Sequence, residues 1–251
     1  MSDSPVDQHE TKRNYFTPAI SSKYVGTFFN SPLHNEWMSS LIYDSLELQP
    51  NHMLVDMGCG PGVDPSQGML DEFRKGSDSN PNIEAVCMDA VTFSQSPQYS
   101  SYDRIFMKLM IHLLTDEERL IAFQGFYKQL APTKGKLLII RRLHTAEISP
   151  FDERTKSLFG NLKVETLFDE LKHVGFKQIQ QETFTFEYPP NSVKAEDWIY
   201  LIENRLWTEL SEKNINEQQM KDLIDHVRRQ YETPNNFQTI DKATIIKCCV
   251  E

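Results

Sequence analysis

A chain of 251 residues, 39% hydrophobic and 25% charged, can bury a core without disulfides or metal ions. Its formal net charge of −10 works against phosphate backbones and excludes nucleic acid as the expected partner. No apolar run approaches the roughly 18 residues of a membrane span, and the first residues are too polar for a secretory leader. The chain therefore reads as cytoplasmic, with no membrane partner.

Residues 1–13 are polar and read as a disordered tail, leaving residues 14–251 as a single domain. Residues 14–48 carry apolar side chains at helical spacing and predict one or two helices forming an N-terminal cap. Trp37, Leu41, Ile42 and Leu46 share one face, and Ser31 or Asn35 serves as the cap. A strand follows over 52–57, and then a helix over 66–75, capped by Ser66 and stopped by Gly76. Strands are expected over 83–88 and 102–109. Thr115 and Glu118 form a capping box ahead of an amphipathic helix over 115–130. A buried strand over 136–141, a helix over 163–173 ending at Gly175 and an alternating strand over 177–187 come next. A helical insertion over 191–238 and a closing strand over 243–250 complete the chain. Alternating strands and helices imply an α/β fold with a doubly wound sheet, which binds ligands at the carboxyl ends of its strands.

The cysteines, Cys59, Cys87, Cys248 and Cys249, lack metal-ligand spacing and read as reduced thiols, so no metal is expected. The adjacent arginine pairs Arg141-Arg142 and Arg228-Arg229 each read as a solvated face.

The chemical signal lies in Asp56-Met57-Gly58-Cys59-Gly60-Pro61-Gly62, where an apolar strand ends in an acid and glycines then alternate. Such a loop lets a ligand approach bare backbone. It lacks the Gly-Lys-Ser/Thr ending of a phosphate-cradling loop. It also lacks the longer spacing of a dinucleotide loop, which weakens an NAD-dependent oxidoreductase reading. The plain alternative is a strand-to-helix turn.

This segment resembles the first motif of class I S-adenosylmethionine-dependent methyltransferases, in the small-molecule form of types 11 and 25. Val63–Leu70 resembles the second-strand end and following helix, Cys87–Ala90 the third-strand end, and Tyr102–Leu114 the fourth strand and its histidine-leucine segment. The resemblance covers residues 50–145 best. It implies a Rossmann-like, mostly parallel sheet, S-adenosyl-L-methionine as cofactor and a small-molecule acceptor. It implies cofactor contacts from Asp56, Gly58, Cys59, Gly60, Gly62, Asp64, Asp89, Ala90 and Lys108.

The chain departs from that pattern where Gly62 joins Val63-Asp64 directly, with about one βα unit missing; a deletion at this junction accounts for it. The first expectation is a shortened sheet in which strand 83–88 pairs directly with strand 52–57 and brings Asp89 to the ribose. The rival expectation keeps the family's positions, with Asp64 at the ribose. The departure also motivates a second function: an impaired variant or non-catalytic binding protein.

Methyl transfer from a sulfonium asks the protein mainly to position donor and acceptor. A base is needed only where the acceptor must lose a proton, and His112 is the one candidate. His34, Trp37 and Tyr15 are candidate acceptor contacts beneath the N-terminal cap, as are Tyr188, Trp198 and Trp207 in or beside the insertion, and Tyr15 and Tyr24 are candidates for an aromatic wall against the sulfonium. For each, packing or backbone bonding is the competing role.

Overall fold

The computed structural model describes residues 18–58, 63–77, 84–142, 145–159, 162–232 and 237–251. Two N-terminal helices, α1 (Pro18–Val25) and α2 (Pro32–Leu46), precede the sheet. Ser31 is the N-cap residue of α2 and Pro32 fills its first turn, where a missing N–H costs nothing. The sheet strands are β1 (Leu54–Met57), β2 (Val63–Asp64), β3 (Val86–Cys87), β4 (Arg104–Lys108), β5 (Lys136–Arg141), β6 (Lys177–Glu187) and β7 (Ile240–Cys249). They lie in the order β3-β2-β1-β4-β5-β7-β6. The first five are parallel, and β7 runs antiparallel between β5 and β6.

The helices follow the sequence pattern closely. Helix α3 spans Gln67–Ser77, with Ser66 Oγ accepting from the Met69 amide, and runs through Gly76 rather than stopping there. Helix α4 (Ala90–Gln95) is capped by Asp89. Helix α5 (Asp116–Leu130) carries the full capping box of Thr115 and Glu118. Two short helices, α6 (Thr145–Ile148) and α7 (Glu153–Lys156), have no periodicity to announce them. Helix α8 (Val164–Val174) ends at Gly175, whose φ of 116° favours glycine. Helices α9 (Ala195–Glu203) and α10 (Glu217–Glu232) form the insertion.

Alternation along the central strands splits the core in two. Val55, Met57, Ile105, Met107, Leu137 and Ile139 pack under α4, α5 and α8. Phe106, Leu138, Ile140 and Ile245 pack under Met38 and Leu46 of α2 on the opposite face. Full burial of such a side chain contributes about 1.5–3 kcal/mol. A third cluster joins Phe29, Phe151, Trp198, Leu206 and Leu223, tying the N-terminal cap to the insertion.

The pairing of the third strand corrects the first sequence expectation. Strand β3 pairs with β2, not with β1. Only residues 58–62 separate β1 from β2, and β2 is two residues long. A parallel neighbour ordinarily needs a crossover of a dozen residues or more, because the chain must travel back the length of the strand. Here Met57 is level with Val63, so β2 starts where β1 ends and the chain has almost no distance to return. Five residues, 58–62, make the connection, closed by Gly58 N–H donating to the Val63 carbonyl at 2.8 Å. On its other side β2 receives the Met88 N–H at the Asp64 carbonyl, 3.1 Å. The two residues thus satisfy backbone groups of both neighbours that a gap would leave unpaired. The lower part of β1 loses its cover: Leu54 is 41% exposed and the preceding Met53 59% exposed, beside a strand that is otherwise central.

Candidate functional site

Strand register draws three of the expected cofactor residues, Gly58, Asp64 and Lys108, into one row. Asp64 pairs with Cys87, Met57 with Val63 and Met107, and Lys108 with Ile140. Cys87, Asp64, Gly58, Lys108 and Ile140 are therefore level across five strands at the carboxyl end of the parallel sheet. At roughly 4.8 Å between strands the row is about 19 Å long.

Gly58 is the centre of the row. Its φ is 75°, and a Cβ built on it would stand 2.5 Å from Met110 Cγ and 2.8 Å from Met110 Cβ. Only glycine fits both constraints. The residue before Met110 is also unusual: Leu109 has φ 56°, a left-handed conformation uncommon for a side chain of its size. Its N–H donates to the Ile140 carbonyl at 2.9 Å, so the backbone twists sharply just as β4 leaves the sheet. Sequence alone gave no signal for Leu109 or Met110.

The two candidate ribose acids occupy different strands. Asp64 ends β2, next to the glycine turn; it is 7% exposed, and Oδ1 accepts from the Ser66 N–H at 2.7 Å. Asp89 follows β3, one strand further out, and spends both oxygens on Thr92, from the N–H at 3.0 Å and the hydroxyl at 2.7 Å. The relocation of Asp89 beside β1 is thereby overturned, because β2 stands between them. Ala90 is buried at the first position of α4, and Asp56 is half-buried in β1. Cys59, Gly60, Gly62 and Tyr15 lie outside the described residues.

A second cluster sits at the same end of the sheet, over β5 and β7. Arg142, one residue beyond β5, donates from Nε to Asp241 Oδ1 and from Nη2 to Asp241 Oδ2, each at 2.8 Å. His34 Nε2 lies 2.8 Å from Oδ2 of the same carboxylate. Desolvation raises the pKa of Asp241, but the Arg142 charge and the His34 hydrogen bond outweigh it and hold the carboxyl well below the usual range. An ionised carboxylate only accepts, so His34 carries its proton on Nε2. His34 is 1% exposed, and its Nδ1 is buried without a hydrogen-bond partner. Aromatic rings enclose the group. The Arg142 guanidinium stands 4.0 Å from the Phe29 centroid, Tyr188 stacks on His34 at 5.8 Å and 3°, and Trp37 and Phe186 close in at 5.3 and 5.4 Å. Burial pushes the Tyr188 hydroxyl well above its ordinary range.

The structure thus joins His34, Trp37 and Tyr188 in one cluster, and links Trp198 and Trp207 to it through Phe29. It sets His112 apart, exposed on a short 3-10 turn after β4. The reading of Arg141-Arg142 as a solvated face is corrected: Arg141 is 5% exposed, and Arg142 is held in the Asp241 cluster. Arg141 is on the face of Leu137 and Ile139, and its Nη1 donates to the Leu162 carbonyl at 2.8 Å. Asp241 also went unread in the sequence, since its partners lie far away along the chain. Arg228 and Arg229 are exposed, as expected.

Comparison with known proteins is consistent with this geometry. Residues 59–133 match a family model described as a methyltransferase domain. The fold is shared with phosphoethanolamine N-methyltransferase 2 of Haemonchus contortus, solved with phosphomonomethylethanolamine and S-adenosylhomocysteine. The TM-score is 0.58 at 18% identity, covering 98% of this chain and 60% of that one. The cyclopropane synthase MmaA2 of Mycobacterium tuberculosis gives a TM-score of 0.55 at 13% identity, covering 98% of this chain and all of that one. The YcgJ protein of Bacillus subtilis gives 0.56 at 14% identity, covering 86% and 99%. This chain spans about three fifths of the length of the Haemonchus enzyme. No curated protein sequence matches the chain. Among the described residues, no helix is long and apolar enough to cross a membrane.

Proposed function

We propose that this chain, which carries a methyltransferase domain on a Rossmann-like sheet, transfers a methyl group from S-adenosyl-L-methionine to a small-molecule acceptor. The observation that carries the reading is the row at the carboxyl end of the sheet. A glycine that tolerates no Cβ is level there with a buried acid one strand away. That pairing fits the cofactor: the Gly58 turn gives backbone access, and Asp64 supplies an acceptor for ribose hydroxyls. Asp89 and Ala90 stand on the adenine side, with Asp56 and Lys108 flanking the turn.

The cofactor supplies an already activated methyl on a sulfonium, so the protein's work is orientation and exclusion of water. Phe29, Trp37, Phe186 and Tyr188 build a dry wall over β5 and β7, suited to holding an acceptor against the sheet end. The buried Asp241-Arg142 pair fixes this wall to both strands. The free thiols of Cys87, Cys248 and Cys249 fit a cytoplasmic setting.

Calorimetric titration with S-adenosylhomocysteine tests the reading. Binding in the micromolar range is expected, and the absence of heat at millimolar ligand sinks it. A second reading, a cofactor-binding relative without turnover, draws on the five-residue connection between β1 and β2. It is favoured if the cofactor binds while no acceptor fraction becomes methylated.

A further inference from the structure

We propose that Arg141 binds an oxyanion of the acceptor, a carboxylate or phosphate group seated at the carboxyl end of β5. This rests on the methyl-transfer reading and deepens it by naming the acceptor's chemical class. Among the described residues, Arg119, Arg141 and Arg142 are arginines at this end of the sheet and almost wholly buried. Arg119 donates to both oxygens of Glu170, at 2.9 and 2.7 Å, and to Asp116 at 2.7 Å. Arg142 is clasped to Asp241. Among the described residues Arg141 has no carboxylate partner, and its one hydrogen bond there runs to a backbone carbonyl. A buried guanidinium without a counter-charge is costly, and a protein keeps one where something else supplies the charge. Burial, reinforced by the nearby charge of Arg119, pulls Arg141 down to about 10, and no acid opposes that fall.

Position ties this charge to the site. Arg141 follows Ile140, the end of the register row, and the Ile140 carbonyl receives the N–H of the left-handed Leu109. Met110, the next residue, packs on Gly58. Arg141 therefore lies two strands from Gly58 along the carboxyl end of the sheet, on the Leu137 and Ile139 face, so that an acceptor reaching it would cross the sheet end from the aromatic wall on the other face. Its planar fork suits two parallel hydrogen bonds to one oxyanion. A chain of net charge −10 repels anions over most of its surface, so a buried local cation makes recognition of one specific.

The test uses thermal melts and titrations of the full chain at constant ionic strength, with sodium phosphate or sodium acetate, with and without S-adenosylhomocysteine. Wild type, R141K and R141Q are compared. The expected result is stabilisation of wild type by one of the two anions, the larger shift identifying phosphate or carboxylate. R141K should keep part of the response, and R141Q should bind the anion tenfold or more weakly, by about the strength of one charged hydrogen bond. The S-adenosylhomocysteine shift should be equal in all three. The proposal is overturned if R141Q responds to both anions as wild type does, or if neither anion shifts a wild type that S-adenosylhomocysteine does shift. If R141Q does not fold, the reduced response of R141K carries the test. An anion response lost in R141Q, with no response to S-adenosylhomocysteine, keeps the oxyanion site and removes the methyl-transfer reading.

Discussion

Asp241 is gripped by Arg142 through two parallel hydrogen bonds of 2.8 Å, so that β7 is pinned to the residue leaving β5. Removing one partner of such a buried pair leaves the other charge uncompensated and costs about 3–5 kcal/mol. D241N should therefore unfold at markedly lower urea at neutral pH.

The same pair sets a direction for acid. The folded-state pKa of Asp241 lies below its unfolded value of about 3.9. Its contribution is complete above that unfolded value and is lost as pH falls toward the folded one. Between pH 5 and 8 this group should give no slope. Below about pH 4 wild type should lose stability more steeply than D241N. Urea midpoints measured across that range check it.

Gly58 and Met110 make a coupled pair. G58A adds a left-handed strain of about 1–2 kcal/mol to the collision with Met110. It should lower the melting temperature and abolish the shift given by S-adenosylhomocysteine. Adding M110A removes the collision but not the strain, so the double variant should recover part of the melting loss. Simple additivity of the two losses would contradict the contact.

Asp64 and Asp89 should separate in binding. Asn at 64 keeps an oxygen for the Ser66 N–H but loses the charge offered to ribose. D64N should weaken S-adenosylhomocysteine about 30-fold, equivalent to about 2 kcal/mol. D89N, whose oxygen goes on capping α4, should change affinity several-fold less. Calorimetry on both variants decides, and the reverse order would restore Asp89 to the ribose.

Thr115 offers a control far from ligand chemistry. T115A removes an N-cap worth about 1 kcal/mol, which corresponds to 2–4 °C in a domain of about this size. Calorimetric melting should show that drop with no change in cofactor affinity.

Much of this structure is legible in the sequence because the signals are local. The Thr115–Glu118 box, the Gly175 stop and the strand over Lys136–Arg141 are each set by a few neighbouring residues. The misreadings share another cause. Val63-Asp64 is too short to carry a period and is a strand only because Met57 and Val86 bracket it. Arg141-Arg142 looks like surface because Leu162 and Asp241, the groups that make burial tolerable, lie 21 and 99 residues further on. The left-handed turn at Leu109 answers to the carbonyl of Ile140 in another strand. Glycine placement pointed to the carboxyl end of β1, and pairing put Asp64, not Asp89, on the strand beside it.

The five-residue link between β1 and β2 also bears on how the sheet assembles. Parallel neighbours are usually slow contacts, because a long crossover must be ordered before the strands meet. Here the encounter between Met57 and Val63 spans only five intervening residues, so the entropic cost of closing it is small. This edge is positioned to form early and to offer β3 a ready template. A five-residue link at the middle of the fold thus gives the chain a local contact in the β3-β2-β1 half of the sheet.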